Sequence, residues 1–404
     1  MINQPPCLRP EDYPVHPDLD NRELSVPTIS VIIPVFNGSR YLPYFLDSLA
    51  KAIPPNAELI FVDDGSSESV FELIPNEFPN VSVIKIRNER NQGYSVAVNR
   101  GFACAKGDIL VQLNTDLVLD PKCIQAMVDL IQRAPKVGIV GSKQLFPTTG
   151  LLRHIGMAFG SRRHRHIYSG IPANHPLSCK TRPMQIVSGS TVAMSKRVLA
   201  DIGPLDERYY NTRENLDHCL KAYVLGYQNY TCADSVTYHW VGQSGPARFA
   251  RAEEDNALFW AEWTAKRSVD LNRFVDEALD YLIHTHPQLI DYRFEPLNLC
   301  RSCDESILLD CLEQKWNGAR AKTHHTRVLN SPNTKLWLPM ELPHRYMMNP
   351  SPYFYLVDRV NQLSENRMWF DVRRQIVDAE VIIDTTAVAL TTQEFLALYG
   401  SPLT

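Results

Sequence analysis

The chain has 404 residues, 44% of them hydrophobic and 21% charged, and a formal net charge of −4. That length and balance suit a globular protein of two or three domains with a full hydrophobic core. They exclude a global electrostatic pull toward nucleic acid or an acidic membrane, so neither is an expected partner. Residues 1–26 are polar and proline-rich and are expected to form an extended arm. Their lack of an apolar core opposes a signal peptide or integral membrane segment. The nine cysteines are scattered and odd in number, and read as reduced thiols of a cytoplasmic protein.

From there the elements follow a clear alternation. TISVIIPVF (Thr28–Phe36) predicts a buried strand, and Arg40–Lys51 an amphipathic helix. Ala57–Asp64 predicts a second strand ending in the turn GSS, Val81–Arg87 a third, and Tyr94–Ala105 a helix. Asp108–Leu113 predicts a fourth strand followed by NTDLVLDP, then a helix over Lys122–Gln132 and a strand over Val137–Ser142. Apolar runs of this length between helical periods imply parallel strands joined by right-handed crossovers. The expected fold is an open α/β sheet flanked by helices on both faces.

Residues 143–185 read as a looser, basic region holding Arg153, His154, Arg162, Arg163, His164, Arg165 and His166. Pro183–Met194 predicts a strand, KRVLADIG and RENLDHCLKAYVLGY two helices, Ser235–Trp240 a closing strand, and Trp260–Ile283 a helix. Beyond about residue 285 prolines and paired aromatics mark a separate, smaller C-terminal region, with a strand and helix expected over Val377–Gly400. Cys300 and Cys303, with Cys311, His324 and His325 downstream, match no standard zinc spacing and read as ordinary side chains.

In open α/β sheets, ligands bind beyond the carboxyl ends of the strands. Three acidic segments fall there: Asp63–Asp64, Asn114–Asp116, and the segment around Glu214. No GxGxxG follows the first strand and no GxxxxGK[ST] occurs, which opposes a dinucleotide fold and a P-loop nucleotidase. What remains is a nucleotide site built on carboxylates. A carboxylate repels phosphate, but holds a diphosphate through a bridging divalent cation. Taken singly, these residues also read as an Asp-Gly turn, a strand cap, a structural histidine at His239, and a solvated helix face at Glu214 and Asp217.

The stretches TISVIIPVFNGSRYLPYFLDSL, ELIFVDDGSS and NERNQGYSVAVNRGFACAKGDILVQLNTDLVLDP resemble an inverting family 2 glycosyltransferase of the GT-A fold. LLRHIGMAFG, IVSGSTVAMSKRVLADIGPLDERYY, ENLDHCLKAYVLGY and VTYHWVGQSG continue the resemblance, which is nearest the bacterial rhamnosyltransferase-type branch. It covers about residues 27–275, leaving 276–404 as an accessory region, mainly helical or α+β, of unassigned role. The resemblance implies metal-dependent, inverting transfer from a UDP-, dTDP- or GDP-sugar to an acceptor hydroxyl. Pro34 and Phe36 would belong to the donor site, with Pro34 ending the first strand under the base. Asp64 or Asp63 would hold the base edge, with Gly93, Asn99 and Arg100 close to the donor. Asn114 and Asp116 stand at the DxD position, Asp116 coordinating Mn²⁺ or Mg²⁺ and Asn114 offering a carbonyl oxygen. His239 would complete the metal site. The basic cluster would form a lid over the diphosphate or grip an anionic acceptor.

One departure matters. At the position of the family's catalytic base this chain has Glu214-Asn215 and then Asp217, with Asn215 in the usual place of the base. An amide cannot accept that proton, so Glu214 or Asp217 is expected to act instead, the other readings being an acceptor that needs no strong base or an inactive chain. Two alternatives remain at this point. A sugar-1-phosphate nucleotidyltransferase would need a glycine-rich basic loop that PVFNGSRYL does not supply. A catalytically impaired nucleotide-sugar-binding module is suggested by Asn215 alone.

Overall fold

The computed structural model describes residues 26–55, 57–161, 163–240, 249–300, 305–316 and 344–400. The N-terminal arm short of Val26, and Arg162, Cys303, His324 and His325, lie outside the described residues. The chain divides into two compact units, one of residues 1–157 and 172–268 and one of residues 158–171 and 269–404. The division thus falls at 268/269, and the second unit also takes the excursion 158–171.

In chain order the elements are β1 (Ile29–Val35), α1 (Leu42–Ala52), β2 (Ala57–Asp63), α2 (Val70–Leu73), β3 (Ser82–Arg87), α3 (Tyr94–Cys104), β4 (Ile109–Leu113) and β5 (Leu117–Leu119). Then come α4 (Cys123–Arg133), β6 (Val137–Leu145), β7 (Leu152–His154), β8 (Met157–Phe159), β9 (His164–His166), β10 (Arg182–Met184) and β11 (Thr191–Ser195). They are followed by α5 (Lys196–Ile202), α6 (Glu214–Val224), β12 (Gln228–His239) and α7 (Ala252–Trp263).

The first unit is a mixed open sheet in the order β10-β12-β6-β11-β4-β1-β2-β3, with β5 added to β12 and β7 to β6. β4, β1, β2 and β3 run parallel, as the apolar runs and intervening helices predict. β11 enters antiparallel between β4 and β6, a placement that no local pattern announces. On α1, Leu42, Phe45, Leu46 and Leu49 form the buried stripe and pack over Val31, Ile33 and Phe61.

Three expectations are corrected here. Pro34 lies inside β1 rather than at its end, opposite Val62 of β2. Pairing of β1 with β4 stops at Ile32, so the missing N–H of Pro34 costs no ladder bond. Pro183–Met194 is two strands, β10 and β11, parted by a turn. The helix expected over Trp260–Ile283 is also two. α7 ends at Trp263, and the next helix starts at Leu271, after Asp270 has exchanged two hydrogen bonds with Phe159.

The second unit holds α8 (Leu271–Thr285), β13 (Glu295–Asn298), α9 (Glu305–Lys315), α10 (His344–Met348), β14 (Tyr353–Val357), α11 (Arg367–Ile376), β15 (Val381–Asp384), β16 (Ala389–Thr391) and α12 (Thr392–Tyr399). Its sheet runs β13-β14-β15-β16, the first three parallel and the last antiparallel. A capping box between Thr391 and Glu394 starts α12. Arg373 and Glu380 are an ion pair buried in this unit. Arg373 also donates to the carbonyls of Tyr346, Met347, Asn349 and Ser351, so the buried charge is fully hydrogen-bonded. Among the described residues no helix is long and apolar enough to cross a membrane.

Candidate active site

The site gathers at the carboxyl ends of β1, β2, β4 and β6. At the end of β2, Asp63 is fully buried; it accepts from the Ser66 N–H at 2.9 Å and pairs with Arg87 at 3.1 Å. Asp64 faces the other way. Its Oδ1 accepts from Asn88 Nδ2 at 2.6 Å and the Gln92 N–H at 3.0 Å, and its Oδ2 from the Gly93 N–H at 2.9 Å. Burial pushes the Asp64 carboxyl above the usual carboxylate range, against these three donors. A carboxylate has about four acceptor positions, so Asp64 retains room for one more N–H. Arg100 also braces this corner, donating to Asn88 Oδ1 and to the Arg87 carbonyl. Phe36 lies half-buried just past β1, where Asn37 Oδ1 accepts from the Ser67 N–H at 2.9 Å and ties the two strand ends together.

Gly93 starts α3 with φ 101° and ψ 161°, a region open essentially to glycine alone. A Cβ there would also lie 2.8 Å from the Tyr210 carbonyl oxygen. Gly93→Ala is therefore expected to lose about 1–3 kcal/mol of stability, read as a lower urea midpoint at unchanged m-value.

Asp116 and His239 meet across β5 and β12, which pair antiparallel through Leu117 and His239. His239 Nε2 is 3.3 Å from Asp116 Oδ1. His239 is buried, and the Asp116 side chain is 15% exposed. Asp116 Oδ1 is itself shielded from solvent and receives no hydrogen bond from the described residues. On its other side His239 Nδ1 sits 3.2 Å from Gln144 Oε1. Among the described residues no cluster of three or more His, Cys, Asp or Glu is disposed to hold a metal. Among the described residues Asp116 and His239 are the pair brought together here, and such a pair could hold a hard cation that draws further ligands from phosphates and water. Asn114, two residues before Asp116, has its Oδ1 occupied by the Tyr94 hydroxyl at 2.7 Å, leaving a second lone pair.

The turn Ser188-Gly189-Ser190 joins these parts, and sequence reasoning missed its role. The Ser190 carbonyl accepts from the Asn114 N–H at 2.8 Å, and Ser190 Oγ accepts from Gln144 Nε2 at 2.7 Å. The Gly189 carbonyl accepts from Gln112 Nε2 at 2.8 Å. A Cβ on Gly189 would lie 2.6 Å from the side chain of Asn215, so only glycine lets α6 approach this closely. Asn215 Nδ2 donates to the Val187 carbonyl at 2.7 Å. The amide at the base position thus holds the turn in place.

The N-terminus of α6 is fixed by α7. Buried Asp255 accepts from the N–H groups of Tyr210, Asn211 and Thr212 and from the Thr212 hydroxyl. Arg213, at φ 75°, donates to Asn256 Oδ1 at 2.7 Å. Glu214 follows as the first residue of α6 and is half-buried. Asp217 is fully buried, accepts from Trp263 Nε1 at 2.9 Å and pairs with Lys221 at 2.8 Å. Burial pushes its carboxyl above the usual range, against the Lys221 charge. A spacing of three puts Asp217 near Glu214 along α6, but its carboxylate is engaged by Trp263 of α7 and by Lys221.

The Asn99 amide bonds to Leu205 and Glu207 and braces that segment. The basic cluster is divided: Arg153 and His154 belong to the first unit, and Arg163, His164, Arg165 and His166 to the second. Arg153 donates to Gln144 Oε1 and His154 Nε2 accepts from the Ser188 N–H, so both serve the site's framework.

Residues 30–203 match the family described as Glycosyl transferase family 2. The chain is 31% identical over 225 residues to the uncharacterized protein y4gI of Sinorhizobium fredii, a match covering 53% of this chain and 24% of that protein. It is 26% identical over 250 residues to the O-antigen biosynthesis protein RfbC of Myxococcus xanthus, covering 60% of this chain and 19% of that one. The matches thus span about a quarter or less of these two relatives. Among solved structures the chain is similar to GalNAc-T7 with UDP, GalNAc and Mn²⁺, at 19% identity and a TM-score of 0.47, covering 63% of this chain and 52% of the other.

Proposed function

We propose that this chain, whose residues 30–203 are a glycosyl transferase family 2 domain, moves a sugar from a nucleoside diphosphate donor to an acceptor hydroxyl with inversion. The observation that carries this reading is the Asp116–His239 pair, whose buried Oδ1 and Nε2 atoms lie 3.3 Å apart at the strand ends without a hydrogen bond between them. A divalent cation would satisfy both atoms at once. Mn²⁺ or Mg²⁺ would be held by Asp116 and His239 and would supply charge neutralisation for the leaving diphosphate. The His ligand inclines the preference toward Mn²⁺.

Each residue then has a task. Asp64 accepts a ring N–H of the base, while Asp63 holds the turn beneath it. Gly93 and Arg100 keep the Asp64 corner shaped for the nucleotide. Asn114 lines the diphosphate side, and Glu214 takes the proton from the attacking hydroxyl. The GT-A architecture and the assignment of the second unit as an accessory domain belong to the same reading. The test is nucleoside diphosphate release from UDP-, dTDP- and GDP-sugars, with Mn²⁺ or with EDTA. Release that stops in EDTA is expected. Pyrophosphate as the product, or release indifferent to EDTA, would overturn the reading.

A further inference from the structure

Gln144 lies at the carboxyl end of β6, fully buried, and in register with Thr237 of β12. Residues 237 and 239 share one face of that strand, which brings the Gln144 amide to His239. The Gln144 Oε1 is 3.2 Å from His239 Nδ1 and accepts from the Arg153 guanidinium as well. Its Nε2 donates to Ser190 Oγ at 2.7 Å. A guanidinium has donors only. Turning the amide over would aim its N–H groups at those of Arg153, so Oε1 is fixed toward both partners. An oxygen facing Nδ1 requires the imidazole to carry its proton there. In the neutral ring Nε2 is then the bare nitrogen, and it lies 3.3 Å from Asp116 Oδ1.

We propose that Arg153 and Gln144 are positioning residues that lock His239 in the Nδ1–H tautomer, so that Nε2 and Asp116 Oδ1 present their lone pairs to one divalent cation. The cation part rests on the functional reading above; the lock itself is a property of the metal-free chain. Arg153 acts on His239 through Gln144, and Gln144 acts on the cation site through the imidazole. The Ser190 contact couples the same amide to the turn that receives Asn114, so ligand orientation and the Asn114 position are set by one group. Outer hydrogen bonds of this kind typically change metal affinity by about 10–100-fold.

The lock is read directly by ¹⁵N NMR of the metal-free, histidine-labelled protein at neutral pH, with His239 assigned from its loss in His239→Gln. Wild-type His239 is expected to show a protonated Nδ1 and a bare Nε2. Gln144→Leu keeps the bulk but removes the acceptor, and is expected to shift His239 toward Nε2–H, which Asp116 can accept. Gln144→Glu keeps an acceptor oxygen and is expected to retain Nδ1–H. Mn²⁺ binding, followed by electron paramagnetic resonance with UDP, dTDP or GDP present, should weaken about 10–100-fold in Gln144→Leu and less than about threefold in Gln144→Glu. A wild-type His239 protonated at Nε2 would overturn the proposal without any variant, as would an unchanged tautomer in folded Gln144→Leu. An intact tautomer in a wild-type protein that binds no Mn²⁺ would instead overturn the metal reading and leave the lock standing.

Discussion

Asp116→Asn is expected to lower nucleoside diphosphate release by about 10²–10³-fold, the scale for removing a group that stabilises developing charge, while leaving the metal-free protein at least as stable as wild type. The two effects share one cause. With His239 held in the proposed Nδ1–H tautomer, Asp116 Oδ1 faces a bare Nε2 at 3.3 Å. An asparagine can turn its Nδ2–H₂ toward the imidazole and make a hydrogen bond there. The same bond occupies the nitrogen a cation would use, and the amide carries no charge to attract one. Sites that keep such uncompensated groups do so at a cost in stability, and relieving it commonly costs activity. Thermal midpoints in EDTA and release rates in Mn²⁺ measure the two sides. If Asp116→Asn kept full metal-dependent turnover, Asp116 would not be a metal ligand. If it unfolded the protein, the acceptor pairing at His239 would be wrong.

The parallel half of the first sheet was legible because each strand there is a continuous apolar run and each connection is a helix with one buried stripe. Thr28–Phe36, Ala57–Asp64 and Asp108–Leu113 became β1, β2 and β4 within a residue or two. The acidic ends of those strands were legible for the same reason, since strand direction tells where a crossover loop must open. What lay hidden is set by distant partners. β11 runs antiparallel because it fills the space between β4 and β6, and its own sequence carries no sign of that. Asp217 resembled a catalytic acid by its spacing from Glu214. Only the placement of Trp263 and Lys221 makes it a buried fold-holding group. Gln112, Gln144 and Asp255 gave no signal at all, because an isolated glutamine or aspartate in a chain predicts no partner. Gly189 had a weak one: a glycine between two serines at the start of a strand marks a close approach, here the side chain of Asn215.

Glu214→Gln is expected to reduce kcat by about 10²–10⁴-fold, the range for losing a general base, with donor and Mn²⁺ affinity unchanged within about twofold. Two members of the Glu214-Asn215-Asp217 group are already committed to the fold. Asn215 spends its amide on the Val187 carbonyl, in contact with Gly189. Asp217 is fully buried between Trp263 and Lys221. Glu214 is half-buried at the first turn of α6, on a segment that Asp255 and Asn256 hold from behind. Of the two carboxylates it is the one on a residue that keeps partial exposure, whereas Asp217 has none. The contrast is Asp217→Asn. That change removes the charge paired with Lys221, whose side chain is 27% exposed. Partial exposure discounts the penalty for breaking a buried pair to about 1–3 kcal/mol. Its signature should therefore be a lower urea midpoint with kcat held within about threefold at a temperature where the variant is folded. Measured at matched donor saturation, the two variants separate chemistry from stability. A Glu214→Gln enzyme with native kcat beside an Asp217→Asn enzyme that has lost it would transfer the base role to a residue that must then leave its buried ion pair during turnover.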